Sequence, residues 1–204
     1  MPVKNMFQEL PESERKLSIA TAAAQLFSSR GYIETSMEDI AAEGKMSKSL
    51  LYYYFKNKSE ILYFVLTTFL NFVLANTREH LKGIEDPAEK LRRIIFGHVE
   101  TYGEHMYLAK TLLNESNSLP STKLKKIDSL EREYYHIISE NISEYCGNQL
   151  DKDKLTAVTF TLLGMCNWIY AWYDPKGTIK PEQLSEIVFN IFVGQFWKDV
   201  RSGS

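Results

Sequence analysis

Between Gly44 and Ser59 the charged residues are Lys45, Lys48, Lys56 and Lys58, with no acid among them. Ser47, Ser49 and the run Tyr52-Tyr53-Tyr54 lie between these lysines. Ammonium and hydroxyl groups at this density suit an anionic partner. Lysine can donate to guanine O6 or N7, and serine can serve either side of a hydrogen bond to a base edge. Successive residues on a helix point about 100° apart, so the three tyrosines cannot all face a core. At least one or two must turn their hydroxyls outward, where phosphate oxygens accept. Thr35 and Ser36, at a helix N-terminus, add hydroxyl and backbone donors for a further phosphate. Lys58 can reach the nucleic-acid backbone as a point charge. Each lysine taken alone reads more readily as solvated surface; their joint occurrence favours an interface.

These side chains need short, well-capped elements to hold them. Thr35-x-x-Glu38 has the form of a capping box. Ser47 caps a second short helix, and Asn57-x-x-Glu60 opens a longer one that runs toward His80. Ahead of them a helix is expected from Glu12 to Ser29, with Ile19, Ala23, Leu26 and Phe27 on one face and Gly31 as its left-handed stop. Two minimal helices joined by a turn, the second rich in Ser, Lys and Tyr, match a helix-turn-helix. In that motif the second helix presents its N-terminal residues, here Ser47, Lys48 and Ser49, to base edges in the major groove.

The chain has 204 residues, 44% hydrophobic and 25% charged, with a net charge of -2. That is ordinary for a globular protein of one large or two small domains, and the basic patch is therefore local. Cys146 and Cys166 are the only cysteines, and neither a disulfide framework nor a signal sequence is expected, which points to the cytoplasm. No membrane span is expected. His80, His98, His105 and His136 show no metal-ligand spacing with one another or with the cysteines, and no nucleophile motif or phosphate-cradling glycine loop is present. No catalytic residue, metal or cofactor is expected, and the chain does not read as an enzyme.

The fold class expected is all-α, with about nine helices: a three-helix head over residues 1–57 and a larger helical body over 58–204. In the body, Pro87 starts a helix with Leu91, Ile94, Ile95, His98 and Tyr102. A break falls near Gly103, and a further helix follows to about Ser116. Pro120 begins a long charged helix ending before Gly147. The segment 153–173 is apolar nearly all round and ends at the Asp174–Gly177 turn. Pro181 opens a last helix with the stripe Leu184, Ile187, Val188, Ile191, Phe192 and Phe196. An all-round apolar helix needs partners on two sides. Leu155, Leu162, Ile169, Leu184, Ile187, Val188, Ile191 and Phe192 are therefore expected to pair with a second copy as a four-helix homodimer interface. Its two-fold symmetry suits a palindromic site on double-stranded DNA. His98, Tyr102, Met106, Tyr107, Phe160, Asn167, Trp168 and Trp172 mix aromatic and polar groups as a ligand cavity does; the reading as ordinary core stands beside it.

Gly31-Tyr32, Thr35-Ser36, Asp39-Ile40-Ala41, Ser47-Lys48 and Leu51-Tyr52-Tyr53-Tyr54-Phe55 with Lys58 resemble the N-terminal signature of TetR-type transcriptional regulators, over roughly residues 12 to 62. In that family a glycine usually stands where Lys45 is, and here Gly44 comes one residue early. This implies either a reshaped turn or a left-handed Lys45 whose side chain joins the phosphate contacts. Leu112–Pro120 and Asn167–Gly177 resemble a subset that regulates fatty-acid, aromatic and steroid catabolism and commonly senses acyl-CoA thioesters. The resemblance implies a repressor that releases its operator on binding a hydrophobic effector, a fatty acyl-CoA or related thioester. Arg92, Arg93 or Lys110 would then meet the CoA phosphates. The alternatives are an efflux-gene repressor responding to drugs or aromatic compounds and, in another class, a helical interaction module without DNA binding.

Overall fold

The computed structural model describes residues 14–194. Among them lie nine α-helices and no strand. The helices are α1 (Glu14–Arg30), α2 (Met37–Glu43), α3 (Lys48–Tyr54), α4 (Lys58–Leu81), α5 (Pro87–Glu104), α6 (Met106–Glu115), α7 (Ser121–Tyr145), α8 (Lys152–Asn167) and α9 (Pro181–Phe192). Short 3-10 turns cover Ser116–Ser118 and Trp168–Ala171. The expected start at Glu12 and the end of the last stripe at Phe196 lie outside the described residues.

Two compact units divide this chain. The first takes the residues through Phe72 together with Glu104–Leu130; the second takes Val73–Gly103 and the residues from Glu131 onward. Packing thus draws its line elsewhere than between residues 57 and 58, because α6 packs on α1. The Thr111 hydroxyl on α6 donates to the carbonyls of Tyr107 (2.8 Å) and Ala24 (3.3 Å). Helices α4 and α7 each contribute to both units. Helix α4 is long and apolar enough by length and composition to cross a membrane, where no such stretch was expected. Its Ile61, Leu62, Val65, Leu66 and Phe69 are fully buried, however, which is the behaviour of a central core helix.

In the first unit α1 buries Ile19, Ala20, Ala23 and Phe27 and stops at Gly31 (φ +91°), whose N–H returns to Phe27 O at 3.0 Å. Lys16 lies over the Phe55 and Phe64 rings. In the second unit, pairs of Arg78 with Glu133, Lys90 with Glu144 and Arg92 with Glu186 tie the helices at their rims. Helix α7 buries Ile138 and Ile142 there. Helix α8 starts on Asp151, whose carboxylate accepts from Lys154 N at 2.9 Å. It ends at Asn167 rather than running to Tyr173, because the chain tightens into the 3-10 turn Trp168–Ala171.

Candidate nucleic-acid interface and candidate effector core

The capping box that opens α2 sits one residue later than the sequence suggests. Ser36, not Thr35, is the N-cap. Its Oγ accepts from Asp39 N (3.1 Å) and donates to Asp39 Oδ2 (2.6 Å), and Ser36 N donates to the same carboxylate (2.8 Å). Those bonds hold the Asp39 carboxyl below its usual range. A shorter Asp at the third position closes the box as Glu does, which leaves Glu38 free to reach outward.

Thr35 is only 1% exposed. Its hydroxyl donates to Gly31 O at 2.8 Å, so it satisfies the end of α1 instead of facing a phosphate. Lys58 is likewise engaged: its ammonium donates to the carbonyls of Tyr32, Ile33 (3.2 Å) and Thr35 (2.6 Å), and lies 4.3 Å from the centre of the Tyr32 ring. An ammonium has three donors, and the loop between α1 and α2 engages all of them. Burial accordingly lowers the Lys58 pKa. Lys58 organises the loop, where a free point charge was expected.

The turn from α2 to α3 explains the displaced glycine. Met46 N reaches back to Ala41 O (2.9 Å) and Lys45 N to Ala42 O (3.1 Å), a Schellman-type stop. Its left-handed residue is Lys45, at φ +50°. Gly44 has ordinary φ (-76°), and its closest crowding is against the flexible tip of the Met46 side chain. A Cβ there would fall 2.2 Å from Met46 Cε and 3.2 Å from Ile40 O. The left-handed lysine costs about 1 kcal/mol, and the Lys45 side chain is exposed.

Helix α3 starts on Ser47, whose Oγ accepts from Leu50 N at 3.2 Å. Leu51 and Phe55 anchor it in the core. That anchoring leaves Ser47, Lys48, Ser49, Tyr52 and Tyr53 exposed and Tyr54 half-buried, with the Tyr53 and Tyr54 rings edge to face. Tyr53 is 81% exposed. Lys48 pairs with Glu38 at 2.8 Å, a partner the sequence reading missed. Exposed pairs of this kind are worth 0 to about 1 kcal/mol, so a guanine or phosphate can displace Glu38 at little cost.

The eight residues expected to line a cavity do not stay together. Met106 and Tyr107 belong to the first unit, as does the buried His105, whose ring nitrogens have no hydrogen-bond partner and whose ring meets Phe72 edge to face. The Tyr107 hydroxyl is also buried without a partner, and burial pushes its pKa up to about 12. In the second unit His98 is 3% exposed. Its Nδ1 lies 2.8 Å from the Tyr134 hydroxyl of α7 and its ring 4.0 Å from that of Tyr102. Burial pushes its pKa down to about 3, offset in part by the Asn167 side chain. So His98, Tyr102 and Asn167 are neighbours, joined by Tyr134, which sequence reasoning missed. The available signal was the stripe Ile127, Leu130, Tyr134, Ile138 and Ile142 at three- and four-residue spacing.

Phe160, Trp168 and Trp172 are not interior. Phe160 is 60% and Trp168 63% exposed, and Trp172 is exposed beside them. With Ala157, Thr161, Gly164 and Ala171 they form the outer face of α8 and its 3-10 extension. On α9, Ile187 and Ile191 are exposed too. The remaining residues expected at the subunit interface turn the other way. Leu162, Ile169, Leu184, Val188 and Phe192 are buried within the chain and Leu155 is half-buried. Of the eight residues expected at the interface only Ile187 and Ile191 are exposed, while Phe160, Trp168 and Trp172, expected to line a cavity, lie on the surface.

Arg92 and Arg93 are also engaged. Arg92 pairs with Glu186 and lies 3.8 Å from the centre of the Phe189 ring, and Arg93 Nε meets Glu89 at 2.7 Å.

Two capped short helices, the second exposing hydroxyls and a lysine at its N-terminus, define a helix-turn-helix regulator of all-α build. Residues 19–63 match the bacterial regulatory proteins of the tetR family, and residues 85–196 match the tetracyclin repressor-like C-terminal domain. The chain belongs to the TetR family of DNA-binding transcription regulators. The HTH-type transcriptional repressor KstR2 of Mycolicibacterium smegmatis is 23% identical over 89% of this chain and 90% of its own length. HbdR of Aromatoleum sp. (strain CIB), an HTH-type transcriptional regulator, is 34% identical, but the match covers 42% of this chain and only 37% of HbdR. A TetR-family regulator from Bordetella parapertussis superposes with a TM-score of 0.87 and 27% identity over 92% of this chain and 98% of that one. AibR, solved with isovaleryl coenzyme A and operator DNA, gives 0.77 and 27% over 87% and 97%.

Proposed function

We propose that this chain is a cytoplasmic homodimeric repressor that holds a palindromic operator and releases it on binding an acyl-CoA. Ser47, Lys48 and Ser49 serve the base edges; Tyr52, Tyr53, Tyr54, Lys45 and the α2 N-terminus at Ser36 serve the flanking phosphates. Thr35 and Lys58 act behind them by fixing the loop. The second copy docks on Phe160, Trp168, Trp172, Ile187 and Ile191. Exposed aromatic groups clustered with small residues on one helix face suit close helix packing.

The observation that carries the effector assignment is the likeness to AibR over nearly the whole chain, with its bound isovaleryl coenzyme A and operator. The buried, incompletely bonded His98 and His105 support it, as polar groups ready for a ligand inside an apolar interior. Release follows if the acyl-CoA binds better to a conformer whose two heads no longer fit successive major grooves. The test is to titrate acyl-CoAs of graded chain length into a dimer–operator complex and follow operator anisotropy. Release by at least one thioester, and not by free CoA, is expected. Release by aromatic drugs with no response to any thioester would replace the effector class.

A further inference from the structure

His98 Nε2 has no hydrogen-bond partner although the ring is buried. Around it α5, α7 and α8 form a crevice walled by Ile94, Ile95, Tyr134, Ile138, Leu162, Leu163 and Cys166. This crevice leaves no room even for a water molecule. Buried polar atoms in folded proteins are almost always bonded, and an exception calls for a reason. The Asn167 side chain interacts with the ring and favours its charged form, but it closes no hydrogen bond of good geometry to Nε2.

The missing bond has a definite direction. His98 is neutral, and a neutral imidazole nitrogen accepts more strongly than a phenol oxygen. Tyr134 therefore donates to Nδ1 across their 2.8 Å contact, and the ring proton sits on Nε2. The other titratable groups facing the ring, Tyr102, Tyr134 and Cys166, are all kept uncharged by burial. The crevice thus offers one neutral donor within apolar walls. It suits an acceptor oxygen on an apolar chain and not a charged group.

We propose that His98 Nε2–H recognises the carbonyl oxygen of the effector's acyl group, the walls parting to admit the chain. This rests on the acyl-CoA reading above and adds to it the group that tells an acyl thioester from a molecule of the same shape without the carbonyl.

The test compares octanoyl-CoA with its thioether analogue S-octyl-CoA, by calorimetric titration into the full-length protein. The wild type is expected to bind the thioester about tenfold more tightly, the usual worth of one buried hydrogen bond. His98→Phe should bring the ratio close to one, and His98→Gln, which keeps an N–H near the same place, should retain most of it. An independent readout needs no variant. In protein labelled with 15N-histidine, the His98 Nε2–H resonance should move with octanoyl-CoA and much less with S-octyl-CoA. Equal binding of both probes by the wild type, or an undiminished ratio in His98→Phe, overturns this inference and leaves the acyl-CoA reading standing. Binding of neither probe, with no response to any thioester of the graded series, overturns both.

Discussion

In the first unit, Thr35 and Lys58 carry a hydroxyl and an ammonium, yet both point at backbone carbonyls inside the loop between α1 and α2. In the second unit, Phe160, Trp168 and Trp172 carry large apolar rings, yet they face outward. The two regions reverse the ordinary rule in opposite directions. A tight loop leaves carbonyls that no helix can satisfy, and an unpaired buried carbonyl is costly enough to draw a polar side chain in. An apolar face turned outward is tolerated when a second copy covers it. Polarity therefore reports what a residue must satisfy, and its location follows from where that need arises.

Replacing an outward ring should have the largest effect. Trp168→Glu is expected to convert a dimer to monomer in sedimentation velocity and to weaken self-association by at least about 2 kcal/mol, the scale of a central interface tryptophan. An unchanged dimer would mean that the face of α8 is not the interface, and the comparison would lose its second half.

A smaller effect is expected at the loop. Lys58→Met should lower unfolding free energy by about 1–3 kcal/mol, since three carbonyls lose a charged donor. Operator affinity should fall while the slope of log K against log salt stays nearly unchanged. A direct phosphate contact would instead reduce that slope by about one. Thr35→Val, nearly isosteric, should cost about 1 kcal/mol in urea denaturation, again with the salt slope preserved. Loss of slope without loss of stability would return Thr35 to the phosphates.

The smallest effect tests the turn. Lys45→Gly removes a side chain held at φ +50° and should raise stability by a few tenths of a kcal/mol, the relief of strain being offset by the freer unfolded chain. If operator affinity falls as well, the Lys45 ammonium contributes to the interface; if it does not, only the backbone of this turn matters.

Helix order and most helix boundaries were readable from the chain. Ser47 and Asn57 cap where their side chains and spacing say they should, Gly31 and Gly147 stop helices in the left-handed region, and Pro87 and Pro181 start them. These are local effects, decided within a turn or two of chain. The choice between Thr35 and Ser36 as cap was not readable. Both residues have the chemistry, and the loop geometry that pulls Thr35 onto Gly31 O depends on Lys58, 23 residues further on. The partnership of Lys48 with Glu38 and of His98 with Tyr134 likewise joins separate helices.

The faces of α8 show the same division. Apolar groups all round the helix indicated that it would be covered on two sides, which is a statement about total burial. Which rings face the chain's own core is set by the rotation of α8 about its axis, and that rotation follows from packing against α5, α7 and α9. A shift of one residue turns a helix by about 100°, enough to exchange the inner and outer sets named from the stripe alone. By itself, the sequence determined the helices and the side chains that α3 carries, because caps, periodicity and composition act locally, and the family through the resemblance of the motifs between Gly31 and Lys58. Only the tertiary structure decided which polar groups close the loops and which aromatic groups face outward, because those depend on contacts between residues far apart in the chain.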